Sequence, residues 1–325
     1  MKRKKRKLKL KKQAYFLFAG VVAVIVISIL GFNFYKRVEY QQTDEYKLIE
    51  KGYTLEQATI LQGKLSSEEI ANILGKDKND TIVDLVNEKY FLSKNLDTYL
   101  EYHEEEAELS LSDVVAVVNV HAYQNWYETI LDSDPSLNER VNVNKFYALS
   151  SDYTPENLKN ISLDYSYGNE GDNKLVDYAY DAFIDLWDAA HEEGFYLMVN
   201  SSYRDYASQE AVYNDYKTSL GERRANEIAA RPGHSEHQTG LVVDMTSTTE
   251  PNAESFSDSE AYKWLQEHAH EYGWIERYPE DKTYITGYSP ESWHWRYVGK
   301  DVAKVIHDEG ITYDEYYAFY IEGNQ

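Results

Sequence analysis

Cysteine is absent from all 325 residues. Its absence excludes disulfides, thiolate metal ligands, a cysteine nucleophile and a lipid-modified cysteine anchor. Acidic residues are absent from the first twelve positions, nine of which are Lys or Arg. Charge of either sign is absent from Gln13 to Tyr35, and Val21 to Leu30 is aliphatic apart from Ser28. This uncharged run makes about one membrane thickness of helix, at about 1.5 Å per residue. It ends in Gly31-Phe-Asn-Phe-Tyr-Lys-Arg, with no small-x-small cleavage site. Residues 1–37 therefore read as a basic cytoplasmic tail and an uncleaved membrane anchor. The alternative is a cleaved signal peptide. The basic flank keeps to the cytoplasm, which puts the chain after Lys36 outside the cell as a single-pass membrane protein.

Basic charge is scarce in the remainder. Without the nine N-terminal residues, 24 Lys and Arg face 56 Asp and Glu, a net charge near −32. Such a surface repels nucleic acid, so no nucleic-acid partner is expected. An exact internal repeat is also missing. Val38 to Asp44 reads as a short polar linker, and Tyr46 to about Ile130 reads as helical. Thr54-Leu-Glu-Gln57 and Ser66-Ser-Glu-Glu69 carry helix-start signals. Apolar residues follow at spacings of three and four, as in Ile70, Ile73, Leu74 and in Ile82, Leu85, Val86. Residues 38–140 thus form a helical membrane-proximal region, either a wall-binding spacer or an extension packed on the next domain.

From Val141 the pattern changes, and 141–325 reads as one α+β domain, a small mainly antiparallel sheet flanked by helices. Helices are expected at Leu175 to Glu193, Tyr206 to Leu220 and Ser259 to Tyr272, each followed by a glycine stop. Strands are expected at Phe195 to Asn200, Leu241 to Met245, Tyr284 to Gly287 and Trp293 to Val298.

Two stretches carry chemistry. The first is Gly233-His-Ser-Glu-His-Gln-Thr-Gly-Leu-Val-Val-Asp244, and the second is Glu291-Ser-Trp-His-Trp-Arg-Tyr-Val-Gly299. His237, Asp244 and His294 offer three ligands for a catalytic zinc, with Glu291 nearby as a base. Gly240 allows a tight turn into the strand that carries Asp244. A carboxylate within an apolar strand is costly unless a cation pairs with it. In an extended 293–298, Trp293, Trp295 and Tyr297 face the core and His294 projects away from it. Arg204 ends a strand just before a helix, placed to hold a carboxylate or an oxyanion. His103, His121, His191, His268, His270 and His307 lack such surroundings and read as non-catalytic. His234 stays open.

Four motifs in order resemble the VanY-type D-alanyl-D-alanine carboxypeptidases, a group that includes LdcB-type L,D-carboxypeptidases. They are Ser201-Ser-Tyr-Arg-Asp-Tyr-Ala-Ser-Gln209, Arg231-Pro-Gly-His-Ser-Glu-His-Gln-Thr-Gly-Leu-Val-Val-Asp244, Ile285-Thr-Gly-Tyr288 and Glu291 to Gly299. The resemblance covers about Asn142 to Ala318. It implies a Zn2+ peptidase acting on peptidoglycan stem peptides in a Gram-positive-type wall. It implies His237, Asp244 and His294 as metal ligands, Glu291 as catalytic base and Arg204 as substrate clamp. Gln209 and Ser235 fall at positions that line the site in relatives. Ser292 departs from the proline common in the family. The expected reaction is removal of terminal D-alanine. The alternatives are L,D-carboxypeptidase or endopeptidase action on the same polymer, or a non-catalytic wall-binding protein with a structural zinc.

Overall fold

The structure is a computed structural model that describes residues 2–323, apart from the side chains of residues 2–10 and 13. Met1 and residues 324–325 lie outside the described residues, as do most side chains of the expected basic tail. The chain divides into two compact units, Met1–Leu96 and Asp97–Gln325, which meet inside the stretch 38–140 that reads as helical.

The first unit is all helix: α1 Lys2–Gln41, α2 Asp44–Lys51, α3 Leu55–Lys64, α4 Ser67–Gly75 and α5 Asp80–Asn87. Within α1, Ala14–Gln41 is long and apolar enough to cross a membrane. The expected linker at Val38–Asp44 is corrected, because α1 runs on to Gln41. No Gly or Pro interrupts it there, and Lys36 bonds Glu39 across one turn at 2.8 Å. Thr54 and Ser66 both form full capping boxes, with Gln57 and Glu69. The caps satisfy backbone N–H groups that a helix start leaves free. Leu48, Leu61, Ile73, Ile82 and Leu85 make the buried face.

The boundary falls at the first residue of α6 Leu96–Glu105, and α7 Leu111–Asn119 follows in the second unit. Helix does not continue to Ile130 as expected. His121 and Tyr127 both take a φ of 65°, which ends right-handed helix and makes turns of 120–130. Two short pairs follow: β1 Leu131–Asp132 parallel to β2 Tyr147–Ala148, and β3 Leu158–Asn160 antiparallel to β4 Lys174–Val176. Then come α8 Asp177–Glu192, β5 Leu197–Ser201, α9 Tyr206–Leu220, α10 Glu222–Ile228 and β6 Val242–Ser247. The unit ends with α11 Glu260–His268, β7 Trp274–Glu276, α12 Thr283–Thr286, β8 His294–Tyr297, α13 Lys300–Glu309 and α14 Tyr313–Tyr316.

Strands β5, β6, β8 and β7 form one antiparallel sheet in that order. Side chains alternate along each strand. Val199, Val243, Met245, Trp274 and Trp295 therefore share a core with Ala179, Phe183, Leu186 and Ala190 of α8 and Leu265 of α11. The strand expected at Tyr284 to Gly287 is corrected: Thr283–Thr286 is the helical turn α12. Gly287, at φ 73°, closes it with an N–H bond to Thr283 O at 2.8 Å. β-Branched residues favour strands only weakly, and a left-handed glycine stop overrides them. The sheet edge is taken instead by β7.

Candidate active site

Sheet register brings the first two groups together. Asp244 on β6 pairs with His294 on β8 and with Ser201 on β5. Directly opposed residues share a face, here the face away from the hydrophobic core. A 3-10 turn at Glu236–Thr239 then sets His237 beside them. Gly240 ends that turn at φ 68°, and a Cβ there would lie 3.0 Å from Leu158 and 3.2 Å from Val176. Glycine is thus required for its conformation and for its size. Glu291 precedes β8; its N–H donates to Tyr278 O at 3.1 Å, and its own C=O accepts from His294 N–H at 3.0 Å.

One ligand atom from each of His237, Asp244 and His294 lies within 4.8 Å of the others. His237 Nε2 is 3.3 Å from Asp244 Oδ2, and His294 Nδ1 is 3.2 Å from Asp244 Oδ1. The outer ring nitrogens fix the tautomers. His237 Nδ1 is 2.6 Å from Ser202 O, a pure acceptor, so Nδ1 carries the hydrogen. His294 Nε2 faces Glu236 Oε2 at 3.4 Å and donates to it. Each imidazole therefore turns a lone pair toward the Asp244 carboxylate. Three electron-rich groups so placed repel one another unless a cation lies between them. With the hydrogen on His294 Nε2, the buried Asp244 Oδ1 has no donor to accept from. Two nitrogens and one oxygen fit zinc, with a coordination position to spare.

Electrostatics agree with a cation-binding place. Asp244 is largely withdrawn from water, which alone would raise its pKa, yet the imidazoles of His237 and His294 hold it well below the usual carboxylate range. His294 is also buried, yet its bonds to Asp244 and Glu236 raise it to about 9. Without metal, a proton on Nδ1 is the small cation that relieves the repulsion. Burial pushes the Glu291 carboxyl up to about 7, with the His294 charge opposing and Asp244 reinforcing. A carboxyl near 7 both takes and returns a proton at neutral pH. Its Oε2 lies 3.5 Å from His294 Nδ1.

Arg204 completes the arrangement. Its Nη1 donates to Gln209 Oε1 at 2.8 Å and its Nη2 to Ser201 Oγ at 2.9 Å. Gln209 in turn donates to Ala230 O at 2.7 Å, which fixes its amide orientation. Asp205 does not pair with the arginine; it caps α9. One cavity of about 150 Å³ is lined by Arg204, Gln209, Ser235, Glu291 and the three ligand residues. Every residue expected at the site therefore lines one cavity. His234 bonds Asn144 O at 2.7 Å and packs edge-on to Tyr127, outside the ligand cluster. Among the described residues, the other six histidines take no part in a three-ligand cluster.

Sequence reasoning missed the groups behind the ligands. Glu236, Arg277, Arg296 and Asp314 are buried and ion-paired beneath His294. An acid between Ser235 and His237 was a signal for Glu236. Arg277 and Asp314 gave none, being 37 positions apart. Tyr278, whose ring lies 4.8 Å from His294, was missed as well.

Residues 172–300 match the VanY family model, described as D-alanyl-D-alanine carboxypeptidase. The chain is 42% identical over 179 residues to a Bacillus subtilis protein named as a carboxypeptidase, YodJ, over 54% of this chain and 65% of that one. It is 39% identical over 143 residues to an Enterococcus faecalis D-alanyl-D-alanine carboxypeptidase, over 41% of this chain and 51% of that one. The matched part thus spans less than two thirds of either curated relative. A solved structure of the LdcB LD-carboxypeptidase is 38% identical, with a TM-score of 0.56, over 58% of this chain and 90% of that one. The chain belongs to the VanY family of D-alanyl-D-alanine carboxypeptidases.

Proposed function

We propose that the protein is a membrane-anchored, extracellular zinc carboxypeptidase that removes terminal D-alanine from peptidoglycan stem peptides. The observation that carries this reading is the meeting of three metal ligands, Glu291 and Arg204 in one cavity. A structural metal needs neither a base nor an open position, so this arrangement speaks against a non-catalytic wall protein. The apolar helix with its basic flank supports the anchor and the orientation.

His237, Asp244 and His294 would hold the zinc. When bound, the metal supplies Lewis acidity toward water and toward the scissile carbonyl. Glu291 takes the proton of the attacking water, and the C–O bond forms as that proton leaves. Arg204, its fork already oriented by Gln209 and Ser201, binds the free C-terminal carboxylate. Glu291 then returns the proton to the departing D-alanine nitrogen as the C–N bond breaks. Gln209 acts by orienting Arg204, since both ends of its amide are engaged.

The Glu291→Ala variant is expected to bind zinc and to lose hydrolysis by more than about 100-fold. Full D-alanine release by that variant would sink the base assignment. The likeness to an LD-carboxypeptidase over 90% of its length supports a second specificity, cleavage after the L-centre of a tetrapeptide stem. Product masses from defined penta- and tetrapeptide stems, with and without chelator, decide between the two bonds.

A further inference from the structure

We propose that Glu236 is the positioning residue that fixes His294 as an Nδ1 metal ligand. The inference rests on the zinc reading above. The Glu236 side chain is fully buried and its two oxygens have separate tasks. Oε1 accepts from Arg277 Nε at 2.8 Å and from Arg296 Nη1 at 2.9 Å. Oε2 faces His294 Nε2 at 3.4 Å. The guanidiniums are themselves anchored. Arg277 makes a forked pair with Asp314 at 2.6 and 3.0 Å, and Arg296 donates to the carbonyls of Glu139 and Val141 at 3.0 and 2.8 Å. The two arginines balance Glu236 and Asp314, so the group is neutral before any contribution from His294. A ring so held keeps hydrogen on Nε2 and offers the Nδ1 lone pair to the metal.

Glutamine at 236 would reverse this. Its carbonyl oxygen must accept from both arginines, because they only donate. Its NH2 group would then face His294 Nε2. Two donors cannot meet there, so the imidazole would shift its hydrogen to Nδ1, the ligand atom. Asp314→Asn disturbs the same buried network without touching His294, and serves as the matched control.

The test is zinc affinity of the full-length protein, measured by chelator competition, for wild type, Glu236→Gln and Asp314→Asn. We expect Glu236→Gln to bind about 10- to 100-fold more weakly, with Asp314→Asn within about threefold of wild type. Equal affinity of Glu236→Gln and wild type would overturn the inference, as would equal losses in both variants. Absence of zinc binding by wild type would instead remove the metal reading on which it rests. A second readout needs no variant. The histidine nitrogen NMR spectrum of zinc-loaded wild type should show His294 protonated at Nε2, and protonation at Nδ1 would refute the assignment.

Discussion

At the scale of single residues, orientation matters as much as chemical type. Arg204 reaches the cavity as a fork whose two arms are already held by Gln209 and Ser201. Arg204→Lys keeps the charge and loses the fork. KM for a peptide with a free C-terminus should rise by about 10- to 100-fold, the worth of a charged hydrogen-bonded pair. A C-terminally amidated peptide should show little change, and steady-state kinetics on both separate clamping from general damage. Lys145 poses a different problem. It is only 2% exposed, with Nζ 4.0 Å from the Tyr288 ring centre and bonded to the Asn226 carbonyl. Burial and the nearby Arg231 charge push its pKa down to about 7. The unfolded chain holds that proton up to about pH 10.4. Between those values the unfolded state binds more protons, so stability rises with pH. Relative to Lys145→Met, wild type should gain up to about 1.4 kcal/mol per pH unit from pH 7.5 to 9.5 in denaturant titrations. A flat difference would show that Lys145 stays charged in the fold. The cluster of His237, Asp244 and His294 was legible in the sequence because the three sit in compact motifs. The buried pairs behind them were not, because Arg277 and Asp314 meet only through tertiary packing.

At the scale of elements, the site depends on one strand pairing and one turn. The β6–β8 register sets Asp244 opposite His294, and a slip of one residue would turn one of them into the core. The turn before β6 depends on Gly240. Gly240→Ala should cost about 1–3 kcal/mol, from positive φ and from overlap with Leu158 and Val176. Thermal denaturation checks this, and an unchanged midpoint would mean that the turn relaxes at no cost. Long elements with clear ends were readable. Tyr206–Leu220 is a helix with the bounds that its pattern and Gly221 implied. Short elements were not. β7 has three residues directly after Gly273, too few to show alternation, and α12 was hidden by the strand preference of Ile285 and Thr286. A period needs several repeats before it can be recognised, whereas a capping glycine acts at a single position.

At the scale of the whole molecule, the compact unit that holds the site begins well before the first recognisable motif, at Asp97. Val117 and Val120 of that early stretch cluster with Ile285 and Ala318, Trp126 packs on Phe146, and Tyr127 bonds Tyr288 at 3.0 Å. Gly287 leaves no room for a Cβ against Trp126 and Lys145, at 2.8 and 2.9 Å. A fragment of residues 97–325 is therefore expected to unfold in one cooperative transition and to keep its activity. A fragment of 141–325 should lose several kcal/mol, at about 1.5–3 kcal/mol for each large apolar side chain uncovered. Equal stability of the two fragments would mean that 97–140 contributes no packing. The strand register has one more consequence, for the order of events in the life of the chain. His237 and Asp244 are near neighbours in sequence, but His294 joins them only once β6 and β8 have paired. The newly made, unfolded chain therefore holds no three-ligand trap. An ion held by these three side chains would therefore be one present where folding is completed, whatever ions prevail where the chain is synthesised.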